Sequence, residues 1–393
     1  MTVSLWQQRE PAPEYIETAV AIIGGGISGL SAAIECESRG VPCVVIEEEY
    51  PASKASGRNA GYLMRGAAEN YAVAIQDLGR ERARFLWRWT EDNLKGLRAL
   101  GIDSVLSFEN RPSCLAATLD DEADQLERSA SLLREDGFDV GLIRSGDGAP
   151  DDAVWRSGHA SIGLLNPHDA VCSPAELVEM LRNSLSTSRV ITHAPVYGIE
   201  TGHRGIRVRG RGVDIRAGHV LVCTNAYASE LVPELCDVVV ANRGQMLSFR
   251  PEDPGLAELA YAYYLNHGSE YMRAGAPGEI IFGGARKADE LGERTDRDAI
   301  SDAVQDKLEQ WIRELVTDRY EVTARWSGIM GFSPDGMPIV GSTSLGERVW
   351  FCGGLTGHGM SMGHATARRA IGCMLEGDAN PFELSPEGSR KQL

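Results

Sequence analysis

The sequence predicts an α/β protein in which a parallel-sheet domain is interrupted by a second, α+β domain with a mixed sheet. Three observations predict it. Residues 18–23 (TAVAII) form a short, nearly continuous apolar run, the pattern of a central strand buried on both faces. A glycine-rich turn, a stretch of helical period and a second apolar run, residues 43–46 (CVVI), follow at once, in the order of a β-α-β unit. Residues 238–249 and the stretch around 270–283 carry β-branched and aromatic runs, read as strands of the second sheet.

The turn reads Gly24-Gly25-Gly26-Ile27-Ser28-Gly29, and Ile27, Leu30, Ala33 and Ile34 then keep helical spacing up to Gly40. This is a GxGxxG unit in its required setting of strand, turn, helix, strand and acid, as in a Rossmann-like domain. Gly24 allows the tight turn, Gly26 lets the backbone approach a pyrophosphate, and Gly29 lets helix and strand pack closely. Ile27 and Ser28 open the helix, whose free N–H groups and positive dipole end suit phosphate. Glu47 lies 23 positions after Gly24, near the ~20 expected for the acid on a ribose 2′-hydroxyl. Glu48 or Glu49 takes that role if the strand ends later. An acid there favours FAD or NAD over NADP.

Further along, residues 77–100 and 119–135 read as amphipathic helices. Asp120, Asp121 and Glu122 form the acidic first turn of the second, and Gly137 is its stop. Residues 146–152 are a polar loop. Residues 274–278 read as a hairpin turn between strands at 271–273 and 280–282. A last helix is expected from about 363 to 376, with Ile371, Met374 and Leu375 on its core face.

Composition narrows the function. Of 393 residues, 39 are basic and 56 acidic, so the net charge of −17 argues against a nucleic-acid-binding surface. The apolar share of 43% and charged share of 24% are those of a soluble globular protein. The eight cysteines form no CxxC pair and show no metal-ligand spacing with histidine, so reduced, buried thiols and no metal site are expected. The N-terminus lacks the apolar stretch of a secretory signal. The apolar run 19–34 is interrupted by four glycines and is shorter than the ~20 residues of a membrane span. A cytoplasmic protein without a membrane span is expected.

Ala55-Ser56-Gly57-Arg58-Asn59-Ala60-Gly61 resembles the Ser-Gly-Arg-Asn-(Gly/Ala)-Gly loop of the D-amino-acid oxidase-like FAD-dependent oxidoreductases. That superfamily includes glycine and sarcosine oxidases, D-amino-acid dehydrogenases and gamma-glutamylputrescine oxidases. Residues 4–6 (SLW) look like the entry of the gamma-glutamylputrescine oxidase-like subgroup. Residues 169–181 (DAVCSPAELVEML) resemble the family's central helix and its approach. Residues 220–227 (VLVCTNAY) resemble the strand returning to the FAD domain. Residues 326–341 and 353–360 (GGLTGHGM) resemble the motifs that close over the flavin.

The resemblance implies a discontinuous Rossmann-like FAD-binding domain, residues 1–88, 150–230 and 325–393, and a substrate domain, residues 89–149 and 231–324. Besides the turn residues and Glu47 or Glu48, it assigns FAD binding to Ser56, Gly57, Arg58, Asn59, Ala60 and Gly61. Val196, Thr224, Asn225 and Gly328 join them, with Gly354, Thr356, Gly357, His358, Gly359 and Met360 from the closing turn. The backbone of that turn and the following helix suit negative charge on the flavin. Only one complete GxGxxG unit is present, so the substrate itself is expected to reduce the flavin.

Amine oxidation by a flavin needs positioning groups more than a triad. Tyr62 is expected to face the flavin, and Arg65 the substrate or a surface ion pair. Of Tyr271 and Arg273, only Tyr271 is expected to face the flavin. Arg286 is placed towards flavin, substrate or solvent, and His358 beside the flavin or in a structural role. Four departures stand out. Met330 replaces the arginine that binds substrate carboxylate in amino-acid oxidases, and Ser361 replaces a sarcosine oxidase lysine with a similar task. Ile281 replaces the lysine linked with oxygen activation, and Gly328 falls near the cysteine that attaches flavin covalently. These imply non-covalent FAD and an amine substrate, or a carboxylate held elsewhere, for example by Arg65 or Arg286.

The expected activity is oxidation of the CH–NH bond of a small amine or amino acid by hydride transfer to flavin. The imine then hydrolyses, and O2 or another acceptor reoxidises the flavin. The alternatives are a 2-hydroxy acid oxidase or dehydrogenase, or a non-catalytic FAD-binding subunit of a larger complex. The partners expected are the small-molecule substrate and the acceptor, with a homodimer allowed.

Overall fold

The computed structural model describes residues 12–119, 121–203 and 205–382. The SLW motif at 4–6 and the acidic first-turn residue Asp120 lie outside them.

The strand Glu14–Ile23 pairs in parallel with Cys43–Ile46 on one side and Val213–Val222 on the other. It begins earlier than the apolar run at 18–23. Its first residues are exposed or half-buried, so they lack an apolar signal, yet they pair with the strand 213–222. Val20, Ala21, Ile22 and Ile23 are buried, as a central strand requires. Arg189–Ile191 extends the sheet in parallel at one edge and Gly346–Gly353 at the other, with antiparallel Ile339–Thr343 outside it. Val196–Gly202 and Gly205–Gly210 form a hairpin on the outer part of the strand 213–222.

The helix Ile27–Ser38 covers this sheet and packs against the last helix, Gly359–Glu376. The contact is close: a methyl group on Gly363 would lie 3.0 Å from Ile27 Cγ2. The last helix starts four residues earlier than expected, because Gly359 and Met360 already have helical backbone and glycine gives no sequence signal for it. The expected helix at 77–100 is instead two helices, Tyr71–Leu78 and Arg80–Ala99, broken at Gly79 with φ 81°. Arg80–Ala99 packs on the last helix. Trp89 Nε1 donates to Thr366 Oγ1 at 3.1 Å, and Asn93 Nδ2 to the Met360 carbonyl at 2.9 Å.

The second sheet has eight strands in the order Tyr320–Phe332, Val240–Pro251, Ile280–Gly284, Glu270–Ala274, Ala262–Leu265, Ser113–Ala116, Ile162–Asn166 and Gly141–Arg144. One pairing, Ala262–Leu265 with Ser113–Ala116, is parallel, so the sheet is mixed. The sheets divide the chain differently from the expected boundaries. Ile162–Asn166 pairs with Ser113–Ala116 in the second sheet, although it lies in the segment 150–230 assigned to the first domain. Tyr320–Phe332 crosses the boundary at 325 as one continuous strand.

The two faces of this sheet have different partners. Leu247, Phe249, Met272 and Phe282 pack with Leu308 and Ile312 of the helix Asp302–Leu315. Each such buried side chain contributes ~1.5–3 kcal/mol. Met246, Tyr264, Tyr271, Ile281 and Trp326 point the other way and share a core with the first domain. Period-2 alternation in each strand separates the two sets. Six of the eight cysteines are buried; Cys223 is half-buried and Cys236 exposed, against the expectation of burial for all.

Candidate active site

Ile23, Ile46, Val222 and Gly353 end parallel strands at one edge of the first sheet, and the next residues of each strand meet there. In open α/β sheets, ligands bind at this carboxyl edge. Gly24 has φ 109°, and a methyl group on it would lie 2.9 Å from the Cys223 carbonyl oxygen. A methyl group on Gly29 would lie 1.8 Å from the Gly24 carbonyl oxygen, so only glycine lets this helix sit so close to the strand end. Over the turn, Ser56 Oγ accepts from the Ile27 amide at 3.0 Å, and a methyl group on Gly26 would fall 2.6 Å from it.

Glu47 is buried, and its carboxylate accepts from the amides of Gly25 at 2.6 Å and Glu49 at 2.9 Å. Burial pushes its carboxyl above the ordinary range, against the pull of those two donors. Glu48 is exposed and faces Lys54 at 3.9 Å. The turn therefore contacts Glu47, not Glu48. Ala194 donates to the Glu47 carbonyl at 3.0 Å, which brings the segment before Val196 alongside the acid. The Thr224 hydroxyl is buried without a protein partner among the described residues. Asn225 Oδ1 accepts from the Gly354 amide at 2.9 Å and ties the closing turn to the sheet edge.

The loop 55–61 is fastened to the second sheet. A methyl group on Gly57 would lie 2.0 Å from the Ala52 carbonyl oxygen. Arg58 donates to the carbonyls of Ser53 at 2.9 Å and Ser327 at 3.0 Å and pairs with Asp298 at 2.8 Å. Trp326 Nε1 donates to the Arg58 carbonyl at 3.0 Å, and Gly328 leaves room for the Arg58 side chain. Asn59 turns back on its own loop, donating to the Ala55 carbonyl at 3.0 Å and accepting from the Gly61 amide at 2.8 Å.

Tyr62, Tyr264 and Tyr271 form a cluster, with ring centroids 5.1 Å apart for 62 and 264, 6.1 Å for 62 and 271, and 5.7 Å for 264 and 271. Burial pushes all three phenols up, Tyr271 to about 12. Tyr271 and Arg273 both reach the 60–62 segment, so strand alternation is no ground for choosing between them. Residues two apart on a strand share a face. Arg273 donates to the carbonyls of Ala60 at 2.5 Å, Ala274 at 2.8 Å and Cys172 at 3.4 Å.

Arg65 is buried and pairs with Glu91 at 2.9 Å, while its Nη1 donates to the Asp139 carbonyl at 2.8 Å. Its charge is thus spent inside the fold, in an ion pair that is interior where the alternative expected one on the surface. Arg286 lies over the Phe332 ring, 4.7 Å from its centroid, and donates to Asn242 Oδ1 at 3.3 Å. His358 Nδ1 lies 3.0 Å from the Thr356 carbonyl, and its Nε2 is buried without a partner among the described residues. Burial holds its imidazole below the ordinary range. Gly357 leaves room for Met330 Sδ. Ser361 is structural: its hydroxyl accepts from the Met64 amide at 2.9 Å.

The residues at the strand-edge turn fit an FAD: a glycine cradle that side chains would fill, a buried acid, an orphaned Thr224 hydroxyl and a closing turn with an orphaned His358 nitrogen. The family model described as FAD dependent oxidoreductase matches residues 19–371, and the chain belongs to that family. It is an FAD-dependent oxidoreductase. Among individual proteins, it is similar to gamma-glutamylputrescine oxidoreductase of Escherichia coli (strain K12), 26% identical over 384 residues, covering 94% of this chain and 86% of that protein. Its fold matches L-proline dehydrogenase from P. horikoshii with a TM-score of 0.75 at 16% identity, covering 94% of this chain and 96% of that one. It also matches glycine oxidase from Geobacillus kaustophilus with a TM-score of 0.75 at 19% identity, covering 96% and 100%. No helix among the described residues is long and apolar enough to cross a membrane.

Sequence reasoning did not single out Tyr264 and Met246, which share a core with Tyr62 and Tyr271. Their period-2 spacing within strands was readable, but Tyr264 meets Tyr271 only through the pairing of two strands.

Proposed function

We propose that this chain oxidises the CH–NH bond of a small amine or amino acid, the imine then taking up water to give a carbonyl compound and ammonia or an amine. Gly24 to Gly29, Glu47, the 56–61 loop, Thr224, Asn225 and the 354–360 turn would hold FAD without a covalent bond, with Val196 and Gly328 beside it. FAD, when bound, supplies the hydride acceptor and passes the electrons to O2 or another acceptor.

The observation that carries the reading is the neutral, largely apolar face made by Tyr62, Tyr264, Tyr271, Met246 and Ile281. Such a wall excludes water and packs a substrate carbon without offering it a charge. The three phenols stay protonated because burial raises them. His358 stays neutral because burial lowers it, so its unpartnered Nε2 is a hydrogen-bond acceptor for an N–H of the substrate and adds no charge to the wall. The relatives support the class: one is named as an oxidoreductase of an amine, and the fold neighbours as a dehydrogenase of proline and an oxidase of glycine.

The test is product analysis with purified holoenzyme. Each amine, amino acid and 2-hydroxy acid of a panel is incubated in air and with an artificial acceptor. A carbonyl product formed with stoichiometric ammonia or amine is the expected result. Turnover confined to 2-hydroxy acids would replace this reading with hydroxy-acid oxidation.

A further inference from the structure

The segment 285–301 joins the strand Ile280–Gly284 to the helix Asp302–Leu315. Apart from one short helical turn, Arg286–Asp289, it has no regular structure. Loops longer than about 12–15 residues in a compact domain usually have a task. This one is held firmly in its middle. Glu293 is buried, and its carboxylate accepts from Arg243 Nη2 at 2.5 Å and Gln245 Nε2 at 2.8 Å. Its carbonyl accepts from the Arg243 amide at 2.7 Å. Gln245 Oε1 accepts from the Ser301 amide at 3.0 Å and fixes the far end. A buried network with its members satisfied holds one geometry.

From that base, Asp298 reaches the loop 55–61. One carboxylate oxygen pairs with Arg58 Nη1 at 2.8 Å, and the other accepts from Ser327 Oγ at 2.5 Å. Arg58 Nη1 also donates to the Ser327 carbonyl at 3.0 Å, so the segment, the loop and the second sheet close a triangle. Asp298 and Asp296 also stand close enough to Tyr227 for their charges to act on its phenol. Tyr227 lies in the turn Asn225–Glu230 at the edge of the first sheet, and Lys54 lies over its ring, 5.6 Å from the centroid. The tip of the segment is thus near the glycine-rich loop on one side and the sheet-edge turn on the other. The side chains of Arg58 and Asp298 are 36% and 48% exposed, so their pair is a surface contact that opens easily, unlike the buried base.

We infer that the segment 285–301 is a strap across the FAD cradle and that Asp298 is its latch, a positioning residue that holds Arg58 and its loop and sets the rate at which FAD leaves. The inference rests on the reading that FAD lies against the 56–61 loop.

The holoenzyme is diluted into flavin-free buffer, and release of FAD is followed by flavin fluorescence at low salt and at about 1 M salt. Wild type is compared with Asp298→Ala, Asp298→Glu, Arg58→Met and the Arg58→Met/Asp298→Ala double variant. Gly57→Ala tests the loop itself, since its added methyl group falls 2.0 Å from the Ala52 carbonyl oxygen.

Asp298→Ala is expected to release FAD about 5-fold faster than wild type at low salt, and Asp298→Glu, which keeps the charge, to stay closer to wild type. The difference shrinks at high salt, where screening weakens the wild-type pair. Asp298→Ala adds nothing in the Arg58→Met background, because the latch acts through Arg58. Release at the wild-type rate in Asp298→Ala, or the same acceleration with and without Arg58, overturns the inference. Gly57→Ala is expected to lose FAD. Rapid loss there beside wild-type release in Asp298→Ala overturns the latch alone, whereas wild-type retention in Gly57→Ala removes the loop from the FAD site and the latch with it.

Discussion

Arg273 Nε donates to the Ala60 carbonyl at 2.5 Å, joining the second sheet to the loop of the FAD cradle. The same guanidinium reaches the carbonyls of Ala274 and Cys172, so one buried side chain joins three segments. Arg273→Met leaves those carbonyls short of a donor in a buried place, at a cost of roughly 1–3 kcal/mol for each group left unsatisfied. The variant is expected to purify with much less flavin and a lower Tm. Arg273→Lys, which offers a point charge in place of a planar fork, falls between. Flavin content and thermal melting check both.

The glycines of the first turn separate steric need from backbone need. Gly29→Ala puts a methyl group 1.8 Å from the Gly24 carbonyl oxygen, so helix and strand must part. Loss of FAD and a destabilisation above about 3 kcal/mol are expected. Gly40, at φ 66°, has nothing within 4 Å of an added methyl group. Gly40→Ala is expected to cost only the left-handed backbone, roughly 1–2 kcal/mol, with full flavin content. Equal flavin loss in both variants would remove the close-packing role of Gly29.

Two buried groups give stability opposite pH slopes. His364 lies against Ser31, and burial holds its imidazole at about 4, from an ordinary 6.5. The unfolded chain takes up a proton that the folded chain refuses. Stability from this group is therefore full above about 6.5 and lost as pH falls towards 4, by roughly 3 kcal/mol. Burial pushes Glu270 the other way, from 4.5 to about 6. Its contribution is full below 4.5 and lost as pH rises through 6, by roughly 2 kcal/mol. His364→Gln is expected to flatten the acid limb. Glu270→Gln is expected to gain up to roughly 2 kcal/mol at pH 8 and almost nothing at pH 4. Denaturant unfolding across pH measures both.

What was legible in the sequence was local. The turn 24–29 and the acid at 47 are tied by short spacing, and their backbone needs show in the residue types themselves. The two-domain α/β architecture followed from apolar runs and motif order. What was not legible depends on pairing between distant segments. Nothing near Arg65 in sequence announces Glu91 as its partner, and nothing at 162–166 announces membership of the second sheet. Glu47 and Glu48 differ by which way one side chain turns at a strand end. Tyr271 and Arg273 are the instructive pair: their common face follows from strand geometry alone, but that Arg273 spends its charge on three carbonyls requires the fold.

The most direct measurement is anaerobic titration of the purified protein with amines, amino acids and 2-hydroxy acids while the visible flavin band is recorded. Bleaching of bound FAD by an amine or amino acid, with hydroxy acids inert, is the predicted result. Bleaching by hydroxy acids alone, or no bleaching by any of the three classes in FAD-loaded protein, would contradict amine oxidation at this site.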